Sequence, residues 1–342
     1  MTIDMHAHWS PPALIEAFRA RTEPPHIVTE DGADIYVSGR GRQPVAEVFD
    51  DVGRRLDEMD RQGVSTGVLS LFGMFGWIER LPVEESLPLV RLYNDSTAEI
   101  CRDHPGRFAA YAALPLASMD AACAEFERAM ALPGIIGAQM PGNAFLTYEN
   151  AQAFAPLMAV ADKLKAMVFV HWGPRPGDTW PRVDMAKADH AVWRLGTLDM
   201  QASLSQDMMT LSFTDFLDAY PNARVHVHNL GGNLPYEIER MDHRCLLDTP
   251  DEALPSTRLD RANLYVDCNS FGARAIEAGV AVYGADKILF GTDGTEFGAD
   301  WSKKALAEAD IGDAARQAIL HGNAAKLLAP LTELAGVQEA AE

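Results

Sequence analysis

The 342-residue sequence predicts an α/β fold, a single (β/α)₈ barrel (TIM barrel) with a small insertion after the first strand. Eight short apolar runs alternate with helical segments, which indicates a parallel sheet covered on both faces. No G-x-G-x-x-G follows the first strand, so the usual reason to prefer an open dinucleotide-binding sheet is missing. The length and the 48% hydrophobic content are sufficient for one closed barrel.

The elements follow one another in a regular order. The eight predicted strands lie at 2–8, 64–72, 108–116, 134–140, 167–172, 223–230, 264–269 and 287–291. The predicted helical segments lie at 10–19, 45–62, 83–104, 120–131, 148–164, 178–220, 234–247 and 273–283, and further helices reach about 331. We expect a barrel over 1–332, an insertion at about 22–43 with a hairpin at Asp31-Gly32, and an acidic tail over 333–342.

Charge and composition exclude several classes of partner. The formal net charge of −20 argues against nucleic acid and against an anionic membrane surface. An anionic substrate would therefore need local cations, either a metal ion or arginines. No run of 18 apolar residues and no basic-then-apolar leader is present, so we expect a cytoplasmic protein. The four cysteines have no C-x-x-C spacing and are expected to be reduced thiols.

Polar side chains recur where the predicted strands end. In a barrel of this class the carboxyl ends of the strands meet at one face, where catalytic residues lie. The first strand alone, with its His-x-His pair, is equally compatible with a polar strand end. Several imidazoles and one carboxylate at the same face suit Zn²⁺, with Mn²⁺, Fe²⁺ or Co²⁺ as alternatives. The residues in question are His6, His8, His171, His226, His228 and Asp293.

A set of motifs resembles the amidohydrolase superfamily, in its amidohydrolase-2 branch typified by 2-amino-3-carboxymuconate-6-semialdehyde decarboxylase. The resemblance covers nearly the whole chain, and in combination its motifs are specific to the family but not to one reaction. The motifs are Ile3-Asp4-Met5-His6-Ala7-His8, Arg55-Leu56-Asp57-Glu58-Met59-Asp60, His104-Pro105-Gly106-Arg107-Phe108, Gly231-Gly232 with Arg240-Met241-Asp242, Leu289-Phe290-Gly291-Thr292-Asp293 and Gly322-Asn323-Ala324.

The resemblance implies a ligand set for one divalent metal ion, which consists of His6, His8, His171 and Asp293. It also implies an acid/base histidine before the Gly-Gly turn. Counted without gaps, that position holds Asn229, and His228 lies one residue earlier. Either a small bulge brings His228 into place, or Asn229 occupies the position and His226 or His228 supports the site from behind.

Substrate contacts depart from the family pattern. Where the reference decarboxylase has a carboxylate-binding arginine, this chain has Gln43, with Arg42 beside it as a substitute. Arg240 matches a second arginine that the family supplies across a dimer interface, although a surface ion pair explains it equally well. Trp172 is the last residue of the fifth predicted strand and is a candidate wall for an aromatic substrate.

These observations predict a metal-dependent, non-oxidative decarboxylase of a small aromatic or unsaturated carboxylic acid, working as a homodimer. We expect His228 to protonate the carbon that loses CO₂ and Asp293 to bind the metal and shuttle a proton. The alternative is a hydrolase or hydratase in which Asp293 activates a metal-bound water. A catalytically inactive barrel is a third hypothesis, against which the intact ligand set argues.

Overall fold

A computed structural model describes residues 1–38, 41–45, 51–71, 75–179, 193–294 and 298–334. Five of the predicted segments extend beyond these ranges. They are the insertion at 22–43, the helix at 45–62, the strand at 64–72, the helical region at 178–220 and the acidic tail, which lies mostly outside. The side chain of Gln43 also lies outside the described part of the chain.

Eight parallel strands form one sheet, and their order in space is their order along the chain. The sheet closes on itself, because Ala7 of the first strand bridges Gly294 after the last strand and the Met5 N–H donates to the Phe290 carbonyl at 2.9 Å. The predicted (β/α)₈ barrel is therefore confirmed. The barrel strands are β1 (Ile3–Trp9), β5 (Thr66–Leu71), β6 (Phe108–Ala112), β7 (Ile135–Pro141), β8 (Met167–His171), β9 (Arg224–Val227), β10 (Leu264–Asp267) and β11 (Ile288–Leu289).

Helices surround the strands, with caps that the sequence supplies. Asp51 begins the second helix by accepting the Arg54 N–H, and Gly63 ends it at φ 63°. The single helix expected at 148–164 is two helices, because the chain leaves helical geometry at Phe154 and restarts at a proline. The helices are α1 (Pro12–Ala20), α2 (Val52–Gln62), α3 (Val83–Asp103), α4 (Met119–Ala129), α5 (Tyr148–Ala153), α6 (Ala155–Leu164), α7 (Met200–Phe213), α8 (Leu234–Asp248), α9 (Ala273–Tyr283), α10 (Gly298–Glu308), α11 (Asp313–Gln317) and α12 (Asn323–Leu334).

The apolar side chains form two main layers around the barrel wall. Met5, Tyr111 and Phe169 belong to a buried cluster inside the barrel, where the rings of Tyr111 and Phe169 stack at 4.9 Å. A larger cluster fills the space between the strands and the helices. Because successive strand residues point to opposite faces, strands buried on both sides become continuous apolar runs. Polar residues are therefore conspicuous where such a run ends.

The insertion after α1 is a three-stranded antiparallel sheet made of β2 (His26–Glu30), β3 (Ala33–Ser38) and β4 (Gly41–Pro44). Its first turn is the expected hairpin, with Asp31 at φ 50° and Gly32 at φ 80°. Buried Tyr36 packs edge-on against Phe18 of α1, with ring centroids 5.5 Å apart. The sheet is thus held against the barrel by apolar contacts.

Candidate metal centre

Four side chains converge at the carboxyl ends of the barrel strands. His6 and His8 belong to β1, His171 ends β8, and Asp293 follows β11. One nitrogen or oxygen of each lies within 4.8 Å of those of the other three. The closed parallel sheet explains the convergence, since it brings strand ends that are far apart in sequence to one face. An arrangement of this kind can hold one metal ion.

Each of the three imidazoles is oriented through its Nδ1 atom. A ring whose Nδ1–H donates a hydrogen bond keeps the Nε2 lone pair available, which is the usual arrangement of a metal-bound histidine. The partners are the Asp267 carboxylate for His6 at 3.0 Å, the Ser70 hydroxyl for His8 at 2.9 Å and the Trp172 carbonyl for His171 at 3.0 Å. All three Nε2 atoms are therefore available as ligands.

The donor atoms fit a divalent cation. Nε2 of His8 lies 2.9 Å from Oδ1 of Asp293, and Nε2 of His6 lies 3.3 Å from the same oxygen. Nε2 of His6 is buried and makes no hydrogen bond within the described chain. Three imidazole nitrogens and a carboxylate oxygen are ligands that zinc and neighbouring transition metals accept.

The electrostatics of the centre favour positive charge. Burial lowers the pKa of His6, but the carboxylates of Asp267 and Asp293 outweigh it and raise the pKa to about 10. Burial opposes ionisation of Asp293, yet His6 and His8 hold the pKa of this carboxyl well below its usual value. Two carboxylates around one buried ring thus create a negative potential that a bound cation neutralises.

Asp293 is held in a conformation that few residues adopt. Its φ of 59° lies in the left-handed region, which is costly for a residue with a side chain. The preceding Thr292 is clamped to buried Asp4, with its hydroxyl donating at 2.6 Å and its N–H at 3.2 Å. One residue earlier, a Cβ on Gly291 would approach Cβ of His6 to 3.0 Å. The close fit on both sides fixes where Asp293 points.

His228 lies directly beside the metal cluster. Its ring stacks on that of His171 at 4.6 Å, and its Nε2 accepts the backbone N–H of Trp172 at 2.9 Å. Its Nδ1 is buried without a hydrogen-bond partner in the described structure. Burial, with His6 as the next contribution, lowers its pKa to about 3, so the ring is neutral at pH 7. A neutral ring with an accepting Nε2 carries its hydrogen on Nδ1.

The backbone turn after His228 is irregular. A bulge at this point was one of the two alternatives that the sequence left open for the position of His228. Asn229 and Leu230 both have φ of 52°, two successive left-handed residues, before the glycine pair. The N–H of Asn229 donates to Asp267 at 3.1 Å, and its buried side-chain amide faces the sulfur of Met200 at 3.8 Å. The turn therefore directs His228 toward the cluster and Asn229 away toward α7.

Of the remaining predicted site residues, one contacts the metal centre and two lie on other parts of the fold. Trp172 touches it through its backbone, and its side chain is partly buried against the core. Arg42 lies in β4, half-exposed, and pairs with Glu30 of the same small sheet. Arg240 lies on the exposed face of α8.

Three residues that support the centre were not identified from the sequence. Asp267 ends β10, Ser70 lies near the end of β5, and Asp4 lies two residues before His6. Asp267 carried the same signal as the ligands, since it is a carboxylate closing the apolar run Leu264–Asp267. Serine gives no such signal, because a hydroxyl at a strand end is common.

Two further sequence predictions concern compartment and membrane. All four cysteines are free, and Cys101 and Cys268 are buried. Burial raises the pKa of both thiols to about 12, so they are poor nucleophiles. In the described ranges, no helix combines the length and the apolar character needed to cross a membrane.

Comparison with known proteins agrees with the motif-based prediction. The family model described as amidohydrolase matches residues 3–329. A gamma-resorcylate decarboxylase from Rhizobium radiobacter is 29% identical over 275 residues, which are 75% of this chain and 82% of the relative. A 2-amino-3-carboxymuconate-6-semialdehyde decarboxylase from Dictyostelium discoideum is 25% identical over 248 residues, 70% of this chain and 65% of the relative.

A solved structure shares the fold. The dihydroxybenzoic acid decarboxylase from Polaromonas sp. JS666, with bound manganese and the inhibitor 2-nitroresorcinol, superimposes with a TM-score of 0.70 at 22% sequence identity. The superposition covers 96% of each chain.

Proposed function

The chain belongs to the amidohydrolase family, and we propose that it is a metal-dependent, non-oxidative decarboxylase of a small aromatic carboxylic acid. The observation that carries the proposal is the convergence of His6, His8, His171 and Asp293 at the carboxyl end of the barrel. The gamma-resorcylate and aminocarboxymuconate semialdehyde decarboxylases among the relatives support this reaction class.

We propose Zn²⁺ as the first candidate for the resident ion, because three imidazoles and one carboxylate suit it, with Mn²⁺ as the alternative. The manganese in the Polaromonas structure supports that alternative. When bound, the ion supplies positive charge that holds substrate oxygens and stabilises the charge developing as CO₂ leaves. The ligand roles of the four residues are part of this proposal.

The proton can reach the substrate from either of two residues. The sequence assigns protonation of the carbon to His228, but its Nε2 is occupied by the Trp172 N–H and its Nδ1 is inaccessible to solvent. The side chain of Asp293 is 21% exposed, whereas those of His6 and His8 are 0% and 2% exposed. Asp293 and His171 are therefore the two partly exposed members of the cluster, and Asp293 is the one whose side chain is a carboxylate. We propose that Asp293 carries the proton and that neutral His228 positions the site, by accepting the Trp172 N–H and stacking on the ring of His171.

The reaction consumes one proton, which comes from water. Asp293 relays the proton of a substrate hydroxyl to the ring carbon that bears the carboxylate; because the pKa of Asp293 lies well below its usual value, its carboxyl form exists only during this transfer and is a strong acid toward that carbon. The bond from that carbon to the carboxylate breaks, its electron pair returns to the ring, and CO₂ leaves. The phenolate oxygen then takes up a proton from water, so the product is the substrate with hydrogen in place of its carboxylate.

Substrate recognition and assembly complete the proposal. Trp172 is the proposed wall on the β8 side, whereas the side chain of Asn229, predicted to contact the substrate, faces Met200 of α7 instead. Arg42 reaches a substrate only if it leaves Glu30, with Gln43 beside it as the polar alternative. We propose a homodimer in which exposed Arg240 serves the site of the second copy, because it lies on the outer face of α8. The free thiols support a cytoplasmic location.

The test is mass spectrometry of hydroxylated benzoic acids incubated with Zn²⁺- or Mn²⁺-loaded protein. Loss of the mass of CO₂ is the expected result, and gain of water or cleavage into two fragments would establish the hydrolase or hydratase instead. Asp293→Asn should abolish turnover in a folded protein whose metal content is measured in parallel. His228→Gln should retain measurable turnover, and the opposite ranking would return the protonation step to His228.

A further inference from the structure

A series of buried hydrogen bonds connects Tyr111, inside the barrel, to the proposed metal ligand His6. Tyr111 OH lies 3.2 Å from Nδ1 of His226, and Nε2 of His226 lies 2.9 Å from Oδ2 of Asp267. The same oxygen lies 3.0 Å from Nδ1 of His6. All four side chains are fully buried.

The acceptor at the centre of this series determines which nitrogens carry hydrogen. A carboxylate only accepts hydrogen bonds, so both rings that face Oδ2 of Asp267 must present an N–H. His226 then carries its hydrogen on Nε2 and accepts from Tyr111 OH at Nδ1, while His6 carries its hydrogen on Nδ1. The Nε2 of His6 is left with a lone pair directed at the cluster.

Asp267 also holds the turn that carries His228. Its other oxygen, Oδ1, accepts the backbone N–H of Asn229 and that of Asn269, each at 3.1 Å. The Nδ2 atom of Asn269 lies 2.9 Å from Nδ1 of His6, and its Oδ1 is buried without a partner among the described residues. The reversed amide orientation, which has the same shape, satisfies both groups, because Oδ1 then accepts the His6 N–H as well. One carboxylate thus links the ligand strand β1 to the residue that follows His228.

We propose that Asp267 is a positioning residue that sets the tautomer of His6 and the distance between the metal centre and His228, with His226 and Tyr111 holding it in place. This inference rests on the proposed metal-dependent function. Asp267 itself does not touch the ion or the substrate; it acts through the ring of His6 and the backbone of Asn229.

An amide at this position cannot reproduce the arrangement. Four N–H groups donate to Asp267, two from the histidine rings to Oδ2 and two from the backbone to Oδ1. In Asp267→Asn the side-chain NH₂ replaces one of the two oxygens, so in either orientation two of these donors face another donor. If the NH₂ faces the rings, His6 is driven to the tautomer with hydrogen on Nε2, which cannot bind metal. If it faces the backbone, the Asn229 turn loses its acceptor. The substitution also removes one negative charge behind the cation.

The test is the metal affinity of apoprotein reloaded with Co²⁺, measured by competition with a chromophoric chelator and by the visible spectrum of bound Co²⁺. Loss of a hydrogen-bond partner of a metal-bound histidine typically costs about 10- to 100-fold in affinity, and we expect this for Asp267→Asn with a changed spectrum. Asp162→Asn is the matched control, because Asp162 of α6 also accepts a backbone N–H, that of Asn222 at 2.6 Å, but does so before β9 begins, at the end of the barrel opposite the metal centre. It should bind Co²⁺ as the unsubstituted protein does.

Unchanged affinity and spectrum in folded Asp267→Asn would overturn the inference. If that variant does not fold, His226→Leu and His226→Gln replace it, since glutamine keeps an N–H for Asp267 and leucine does not. We expect weaker Co²⁺ binding in the leucine variant, and equal binding in both would also overturn it. Failure of the unsubstituted protein to bind any divalent ion would instead refute the proposed function.

Discussion

Glu79 carries a pH dependence of stability that can be calculated from its surroundings. It lies in the short helix Phe75–Arg80 after β5, is 4% exposed, and accepts the N–H of Leu114 at 2.8 Å. Burial raises the pKa of its carboxyl from 4.5 to about 8, against a smaller opposing effect of the Leu114 hydrogen bond. Folded Glu79 is therefore protonated at neutral pH, whereas the same group in the unfolded chain is ionised.

The sign and the size of the effect follow from proton linkage. Between pH 4.5 and about 8 the folded state binds more protons than the unfolded state, so the free energy of unfolding falls as pH rises. At 1.36 kcal/mol for each pH unit, the loss reaches about 3 kcal/mol at pH 7 and about 5 kcal/mol above pH 8 as an upper limit. Below pH 4.5 both states are protonated and the loss disappears.

Glu79→Gln removes this loss, because the amide oxygen still accepts the Leu114 N–H and nothing ionises. Equilibrium urea unfolding should show the variant more stable by about 1 kcal/mol at pH 5 and by about 3 kcal/mol at pH 7. Glu149→Gln, at an exposed position of α5, is the control and should show no such divergence. A stability difference for Glu79→Gln that stays constant from pH 5 to pH 8 would refute the reasoning.

Three further predictions concern the supports of the metal centre. Thr292→Val removes the hydroxyl that donates to Asp4 at 2.6 Å, so we expect the free energy of unfolding in urea to fall by about 1–3 kcal/mol and kcat to decrease. Unchanged values of both would contradict the role of Thr292 in fixing Asp293. Ser70→Ala removes the hydroxyl 2.9 Å from Nδ1 of His8, and chelator competition should show a metal affinity lower by about 10- to 100-fold. An equal Kd would argue that Ser70 does not orient His8. Dialysis against a strong chelator should abolish turnover and Zn²⁺ or Mn²⁺ should restore it; full activity in protein shown to be free of metal would exclude the proposed mechanism.

Much of the fold could be predicted because its signals are local. Each barrel strand is a short apolar run, and a parallel sheet covered on both faces makes such runs stand out from the amphipathic helices between them. Of the expected strand at 287–291, only Ile288–Leu289 pairs as a regular strand with β10. After Leu289 only isolated contacts to β1, at Phe290 and Gly294, close the sheet while the chain builds the centre, which is why the apolar pattern overestimates the strand.

The candidate ligands could be predicted for the same reason, since each interrupts or ends an apolar run. His171 closes β8 and Asp293 follows β11, and the rule that barrel strands present their carboxyl ends at one face then brings them together. The role of Asp267 could not be assigned in this way. Its partners His6 and His226 are 261 and 41 residues away, and only closure of the barrel makes them neighbours.

Taken alone, the sequence determined the barrel, the face that carries the chemistry and the residues that meet there, because strand periodicity and residue type depend on local sequence. Only the tertiary structure decided which nitrogen of each histidine faces the cluster, that Arg42 pairs with Glu30 in the small sheet, and that Asp293 is partly exposed whereas His228 is buried. These properties depend on hydrogen bonds and exposure between segments distant in sequence, and they exist only after the sheet has closed.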